Sequence, residues 1–95
     1  MHEQNEHYFF KLCSDHLAIE AIPKRQFRVD LTRVKEHFGE YTTTMWTPRF
    51  VVLKGSRGEE VTLRGDGHMI IRNTGSEEMA RLAAMKVLAL TSCLG

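Results

Sequence analysis

Apolar and polar residues alternate most regularly over residues 59–72, where two strand-like runs flank the turn dipeptide Asp66-Gly67. A three-residue loop over 65–67 pairs Arg64 with His68 and collects the apolar side chains on one face. A two-residue loop would shift the pairing by one residue and mix apolar with polar side chains on both faces. The pattern therefore predicts a hairpin whose buried face carries Val61, Leu63, Met69 and Ile71.

The same period of two extends back to residue 41. Tyr41–Trp46 is rich in threonine and aromatic residues, which favours a strand, and Arg49–Lys54 returns after a turn at Thr47-Pro48. The loop Gly55-Ser56-Arg57-Gly58 then leads into the hairpin. If pairing across these turns keeps the apolar side chains on the same side of every strand, the chain forms an antiparallel meander with a buried and an open face. The buried face would add Met45, Phe50 and Val52, and the open face would carry Trp46, Arg49, Val51, Leu53, Thr62, Arg64, His68, Ile70 and Arg72.

Helical spacing predicts elements at both ends of the chain. Phe10, Cys13, Leu17 and Ala21 recur at helical intervals, which predicts a helix over about residues 6–21 that ends before Pro23. A final helix is predicted to begin at Thr74 or Ser76, and Thr74 with Glu77 matches a capping box. Its apolar stripe consists of Ala80, Ala83, Ala84, Val87, Leu90, Thr91 and Leu94.

The segment between Pro23 and the meander is predicted to form one strand and one helix. Residues 24–29 alternate basic with apolar side chains, which is typical of a short strand. Asp30 is a suitable N-cap for a helix that carries Leu31, Val34 and Phe38 on one face, with Gly39 at its C-terminal end.

Length and composition indicate a single α+β domain over residues 1–95, with residues 1–22 as an N-terminal helical extension. Thirteen Lys and Arg against twelve Asp and Glu give a formal charge of +1, so nucleic-acid binding would need local clustering of charge. Cys13 and Cys93 form no CxxC pair, which argues against a disulfide scaffold. The polar start has no signal-peptide hydrophobic region and no run has the length of a membrane span, so we expect a soluble cytoplasmic domain.

The residues of the hairpin and final helix resemble a known family. The run Val61-Thr-Leu-Arg-Gly-Asp-Gly-His-Met-Ile-Ile-Arg-Asn73, followed by Ser76-Glu-Glu and an alanine-rich helix, is similar to one half-repeat of the TATA-box-binding protein family. Val29-Asp30-Leu31 and Tyr41 also resemble positions in that family. The resemblance covers about residues 25–95 and is best over Val61 to Ala84. It implies a curved antiparallel sheet with helices packed on one face, a half-repeat preceded by an extra N-terminal helix.

Several positions depart from that family in ways that bear on function. The family joins two halves in one chain and wedges a Phe between base pairs, whereas this chain has one half and Arg64 at that position. Thr62 and Arg72 make the corresponding face more polar, and a polar face cannot drive an apolar wedge. Five strands offer roughly 400–500 Å² of face, less than the roughly 600–1,000 Å² that single DNA-binding modules bury. TATA-box recognition as such is not predicted.

The predicted functional residues are those of the open face that combine an indole with basic groups. An indole beside guanidinium groups is suited to stacking on bases and holding phosphates. The sequence therefore predicts a binding module for DNA or RNA that uses Trp46, Arg49, Arg64, His68 and Arg72.

Two alternatives to nucleic-acid binding follow from the same pattern. The first helix, with Phe9, Phe10 and Leu17, would cover the open face if it packed on Val51, Leu53 and Ile70. The open face would instead serve as a protein-interaction or homodimerisation surface if a second subunit covered it.

No enzyme signature, cofactor motif, membrane segment or small-molecule site is predicted. Cys13 and His16 have a C-x2-H spacing, with His2 and His7 nearby, but no second ligand pair completes a metal site. The loop over 55–58 lacks the Lys-Ser/Thr end of a phosphate-binding loop and is interpreted as a hairpin turn.

Overall fold

The computed structural model describes residues 8–12, 18–25, 28–34 and 37–92. Within them the chain is α+β, an antiparallel sheet with a C-terminal helix packed against one face. The strands are β1 (Tyr8–Leu12), β2 (Ala18–Pro23), β3 (His37–Phe38), β4 (Tyr41–Trp46), β5 (Phe50–Lys54), β6 (Glu60–Arg64) and β7 (Met69–Arg72). A 3-10 turn spans Leu31–Arg33, and the helix α1 spans Glu77–Ser92.

The described part of the sheet has the strand order β1-β2-β7-β6-β5-β4-β3, and every neighbouring pair is antiparallel. Strands β3 to β7 follow one another along the chain, so the predicted meander is confirmed. The N-terminal hairpin of β1 and β2 joins it at the β7 edge, where Ala21 pairs with Met69.

The β6–β7 hairpin has the predicted register. Leu63 pairs with Met69 and Val61 with Ile71, and the Arg64 N–H donates to the His68 carbonyl at 2.9 Å. Gly67 has a φ of 88°, a conformation that favours glycine in this tight turn. The predicted buried residues of both strands are fully buried: Val61, Leu63, Met69 and Ile71.

The side chains of strand β5 point to the opposite faces of the sheet from those predicted. Lys54 pairs with Glu60, so the loop spans residues 55–59 and includes Glu59. The extra loop residue turns each β5 side chain to the other face, because side chains alternate along a strand. Val51 and Leu53, which were expected on the open face, are therefore fully buried. Phe50 and Val52, which were expected in the core, are only partly buried.

Strand β4 contains an irregularity between Thr43 and Met45 that shifts its register against β5. Beyond it, Met45 pairs with Val52 and is 53% exposed, so its predicted burial is wrong. Trp46 pairs with Val51, and directly paired residues point to the same side of a sheet. The indole is therefore on the helix side of the sheet edge, not on the open face.

The predicted N-terminal helix is wrong where the structure describes it, because residues 8–12 and 18–23 are strands. Tyr8, Ile19 and Ala21 belong to the hydrophobic core. Phe10 packs against that core, whereas Phe9 is 46% exposed on the opposite face. Cys13, His16 and Leu17, with His2 and His7, lie outside the described residues.

The segment between β2 and β4 also differs from its prediction. Lys24 and Arg25 form a bend, and residues 28–30 are extended without strand pairing. Asp30 caps as predicted, because its carboxylate accepts the Thr32 N–H at 3.1 Å, but only a single 3-10 turn follows. Val29, Leu31 and Val34 are buried, so this segment covers the part of the sheet that α1 leaves uncovered.

Helix α1 covers β2 and β7 with its alanine stripe. The buried stripe residues are Ala80, Ala83, Ala84 and Val87, and Leu88 and Leu90 pack against the core. Ser76 is the N-terminal cap, since its hydroxyl oxygen accepts the Met79 N–H at 3.2 Å. The Thr74 hydroxyl donates to the Ser76 carbonyl instead of forming a capping box. Within the described residues no helix has the length and apolar character needed to cross a membrane.

Candidate functional site

A wide cleft of about 1470 Å³ opens at one end of the sheet. Three parts of the described chain meet there: the end of β2 with residues 24–25 and 28–33, the β4–β5 turn, and the β6–β7 turn, with Thr91 of α1 beside them. We call it the basic cleft because of its charged lining. Its basic residues are Lys24, Arg25, Arg28, Arg33 and Arg64, and its acidic residues are Asp30 and Asp66.

Charge is concentrated in the basic cleft. Among its described lining residues, five basic against two acidic side chains leave a net charge of +3, whereas the whole chain carries +1 with neutral histidines. The remaining residues therefore sum to −2. Both acidic side chains are already engaged, Asp30 by Thr32 and Asp66 by Arg64. The hydrogen bond from the Thr32 hydroxyl holds the pKa of Asp30 below its ordinary value.

Two of the basic residues have neither an ion pair nor a hydrogen bond from their side chains to other described residues. These are Arg25 and Arg28, and both are exposed. The Lys24 ammonium lies 4.9 Å from the centre of the Phe9 ring, a cation–π distance. Exposed guanidinium groups without a carboxylate partner are available to an incoming anion.

Trp46 is held in a defined orientation at the wall of the basic cleft. Its indole N–H donates to the Leu31 carbonyl at 3.0 Å, and the residue is 46% exposed. The 3-10 turn that follows Asp30 places this carbonyl, since Leu31 itself is buried in the core. A hydrogen bond made by the ring edge leaves the faces of the indole uncovered by that contact.

A row of four polar side chains runs from the β6–β7 turn to β2. Asp66 binds Arg64 at 3.0 Å, Arg64 Nη1 lies 3.4 Å from His68 Nδ1, and His68 Nε2 lies 2.5 Å from Glu20 Oε2. Guanidinium nitrogens only donate and an ionised carboxylate only accepts, so the His68 ring lies between a donor, Arg64, and an acceptor, Glu20. The row fixes the orientation of Arg64 and links the turn to the neighbouring strand.

The structure brings together three of the five residues predicted from the sequence. Trp46, Arg64 and His68 all line the basic cleft. Arg49 is exposed in the adjoining β4–β5 turn, and its carbonyl accepts the Gly65 N–H at 3.1 Å. Arg72 is at the far end of β7, paired with Ala18 and Glu60, and is remote from the cleft.

Sequence reasoning missed four basic residues, Lys24, Arg25, Arg28 and Arg33. The sequence prediction assigned Lys24, Arg25 and Arg28 to a short strand and Arg33 to a helix, so their common location was not apparent. A signal was present, because four Lys and Arg residues occur within ten positions of a chain that is otherwise balanced in charge.

A second, smaller depression lies at the opposite end of the sheet. Its charged lining is mixed, with Glu40 and Glu59 against Arg57 and Lys86, and Lys86 binds Glu40 at 3.1 Å. Among the described residues no group of three or more His, Cys, Asp or Glu side chains is arranged to hold a metal ion. The charge of this depression is balanced, which makes the basic cleft the stronger candidate.

Comparison with protein-family models, curated proteins and solved structures found no match to this chain. The resemblance to a half-repeat of the TATA-box-binding protein family therefore stays a prediction from the sequence. The function is therefore inferred from the chemistry of the basic cleft alone.

Proposed function

We propose that the protein is a nucleic-acid-binding module that uses the basic cleft. The observation that carries the proposal is the net charge of +3 in one cleft of a chain with a formal charge of +1. Phosphate contacts supply most of the affinity of sequence-independent nucleic-acid binding, and clustered guanidinium groups are suited to make them. Arg25, Arg28 and Arg64 would contact phosphates, with Trp46 and His68 beside them.

The open sheet face would take a secondary part in this proposal. Arg64 lies at the border of the cleft and the open face, and Arg72 and Lys54 lie further along that face. Lys11 and Glu20 pair across β1 and β2, and Glu60 pairs with both Lys54 and Arg72. Because acidic and basic residues alternate there, the open face attracts anions less than the cleft does.

Salt dependence of binding tests the proposal directly. Each arginine that neutralises a phosphate releases counterions, so Arg28→Ala should flatten the plot of log affinity against log salt by about 0.9 for a duplex or about 0.7 for a single strand. The measurement is fluorescence anisotropy of a labelled oligonucleotide at several salt concentrations.

Arg57→Ala is the matched control for that experiment. Arg57 is also exposed, but it lies in the β5–β6 loop at the opposite end of the sheet. Its removal should leave the slope unchanged. Failure of the wild-type protein to bind either duplex or single strand at low salt would reject the proposal, as would equal effects of the two variants.

Homodimerisation is the second candidate, and exposed apolar side chains on the open face favour it. Phe9 in β1 is 46% exposed and Met45 in β4 is 53% exposed; the partly buried Val52 pairs with Met45, and the partly buried Ile70 lies in β7, between β1 and β4. A second copy of the chain that covered these residues would remove apolar area from water. A solution mass measurement distinguishes this function, since Met45→Asp would dissociate such a dimer and leave the basic cleft intact.

A further inference from the structure

We infer that the basic cleft takes an unpaired nucleic-acid strand, with one base stacked on Trp46 and the adjoining phosphates against Arg25 and Arg28. This inference rests on the proposed nucleic-acid binding and specifies its substrate. It starts from the anchored indole, whose N–H is occupied by the Leu31 carbonyl at 3.0 Å while 46% of the residue stays exposed. Because the bond to Leu31 is made by the ring edge, it leaves the faces of the indole free of that contact, and an aromatic face can stack on a base of any sequence.

The charge around the indole fits a strand better than a single small molecule. Arg25, Arg28, Arg33 and Arg64 line the same cleft as Trp46, and several separate cations are suited to the successive phosphates of a strand. The volume of about 1470 Å³ also exceeds the roughly 300–1,000 Å³ of typical small-molecule pockets. Single-strand sites commonly combine such a charged groove with an aromatic platform.

A duplex is disfavoured by the same geometry. Bases within a duplex are stacked on each other, so none offers a free face to Trp46. Reading a duplex usually requires a helix or a two-stranded ribbon in the major groove. The described chain has one α-helix, α1, and its exposed surface carries Glu77, Glu78 and Lys86 without a basic stripe. The strands that reach the cleft belong to one continuous sheet, so none of them stands out as a separate two-stranded ribbon that could enter a groove.

The sole tryptophan of the chain supplies a direct measurement. Because Trp46 is the only indole, its fluorescence reports on this site alone. The full-length protein is titrated at low salt with an oligothymidylate of about 12 nucleotides, with a duplex of the same length, and with thymidine monophosphate. We expect quenching and tight binding with the oligothymidylate, weaker binding of the duplex without quenching, and no saturation with the mononucleotide.

Two variants separate stacking from structural support. Trp46→Ala should weaken binding of the labelled oligothymidylate by roughly 5- to 150-fold, which corresponds to the loss of one stacked base. Trp46→Phe also loses the bond to Leu31 but keeps an aromatic face, so it should retain most of the affinity. If the two variants bind equally weakly, the indole supports the fold and the stacking inference is overturned.

The remaining outcomes distinguish this inference from the proposed function. Duplex binding at least as tight as that of the single strand, without quenching, would overturn the inference and keep nucleic-acid binding. Saturation by thymidine monophosphate at the same concentration as the oligothymidylate would replace the strand with a single nucleotide, which also overturns it. Binding of none of the three probes would reject the proposed function itself.

Discussion

Two buried tyrosines illustrate how differently one hydroxyl group can contribute to the same core. Both residues are fully buried. The Tyr8 hydroxyl donates to the Gly67 carbonyl at 2.7 Å and so ties the edge strand β1 to the β6–β7 turn. The Tyr41 hydroxyl has no hydrogen-bond partner among the described residues. A buried polar group costs free energy unless it is paired, so the two hydroxyls should have opposite effects on stability.

The corresponding phenylalanine substitutions form a matched pair. Tyr8→Phe leaves the Gly67 carbonyl unsatisfied, and we expect it to lower the free energy of unfolding by about 1–3 kcal/mol. Tyr41→Phe removes an unpaired hydroxyl and should be neutral or stabilising. Urea denaturation of both variants and the wild-type protein measures the difference. Equal losses of stability in the two variants would contradict the assignment of the Tyr41 hydroxyl as unpaired.

The same tyrosines make the protein sensitive to alkali. Burial, followed by the charges of Glu59 and Glu40, raises the pKa of Tyr41 to about 12, and burial raises that of Tyr8 as well. Above about pH 10 an unfolded tyrosine loses its proton while the folded one keeps it, so the unfolded state binds fewer protons. Stability contributed by these groups is complete below that pH and is lost as the pH rises toward the folded pKa.

We therefore expect the free energy of unfolding to fall by up to about 1.4 kcal/mol per pH unit for each tyrosine above about pH 10. Lysines titrate in the same range, so the comparison must be between variants. Tyr41→Phe should show a shallower decline than the wild-type protein in denaturation curves collected up to about pH 11.5. If the free energy of unfolding declines equally in the two proteins, Tyr41 does not cause the loss of stability in alkali.

At the scale of elements, local chemistry made the β6–β7 hairpin and the start of α1 near Ser76 predictable, although the predicted capping box of Thr74 and Glu77 is not formed. The turn residues and the alternation lie within the hairpin itself, so its register needs no distant contact. The predicted orientation of the β5 side chains was wrong because Glu59 belongs to the loop between β5 and β6. Its carbonyl accepts the Gly55 N–H at 2.9 Å, and its side chain accepts the Arg57 N–H at 3.1 Å. Nothing in the loop sequence indicates this extra residue, and one residue inverts a strand.

The N-terminal strands were predicted as a helix for a different reason. Helical spacing of Phe10 and Ala21 outweighed the strand pattern in the sequence, but β2 pairs with β7 far along the chain. Such pairing is a tertiary contact that local periodicity cannot reveal. The 3-10 turn is a milder case, because Asp30 caps it as predicted and the chain then leaves the helical path at Val34 to form β3.

The close approach of α1 to the sheet depends on its small side chains. Ala84 is fully buried between the helix and the strands, so Ala84→Leu should overpack the interface and cost about 1–3 kcal/mol. Ala89→Leu introduces the same side chain on the exposed surface of the same helix and should change stability by less than about 0.5 kcal/mol. The stabilities of the two variants are compared through the midpoints of their denaturation curves. A tolerated Ala84→Leu would mean that the interface has spare volume.

For the whole molecule, the sheet is continuous from the first described strand to the last. Tyr8, Ile19 and Ala21 share one hydrophobic core with the alanines of α1. Deletion of residues 1–22 removes β1 and most of β2, so we expect the remaining chain to lose its dispersed amide spectrum. The full-length protein under identical conditions is the reference. A dispersed spectrum from the truncated chain would show that residues 23–95 fold alone.

The candidate site could be predicted in part at this scale. Arg64 and His68 were found because they face each other across a hairpin that the sequence specifies. Trp46 was selected for its chemistry and placed on the wrong face, because the phase of β5 was inverted. Arg25 and Arg28 could not be placed, since their position depends on how the segment after β2 folds back over the β6–β7 turn. There the Val29 N–H donates to the Gly65 carbonyl at 2.8 Å.

The pairing of β2 with β7 has a consequence for the order in which the chain folds. Ala21 precedes its partner Met69 by 48 residues, and a ribosome adding about 5–20 residues per second needs about 2–10 s to supply them. Throughout that interval the apolar strand Ala18–Pro23 can pair only with β1. Sheets dominated by such distant pairs fold in milliseconds to seconds, more slowly than helical bundles. The nascent N-terminal hairpin, with Phe9 and Phe10 in its outer strand, must therefore stay free of other chains until the meander has formed.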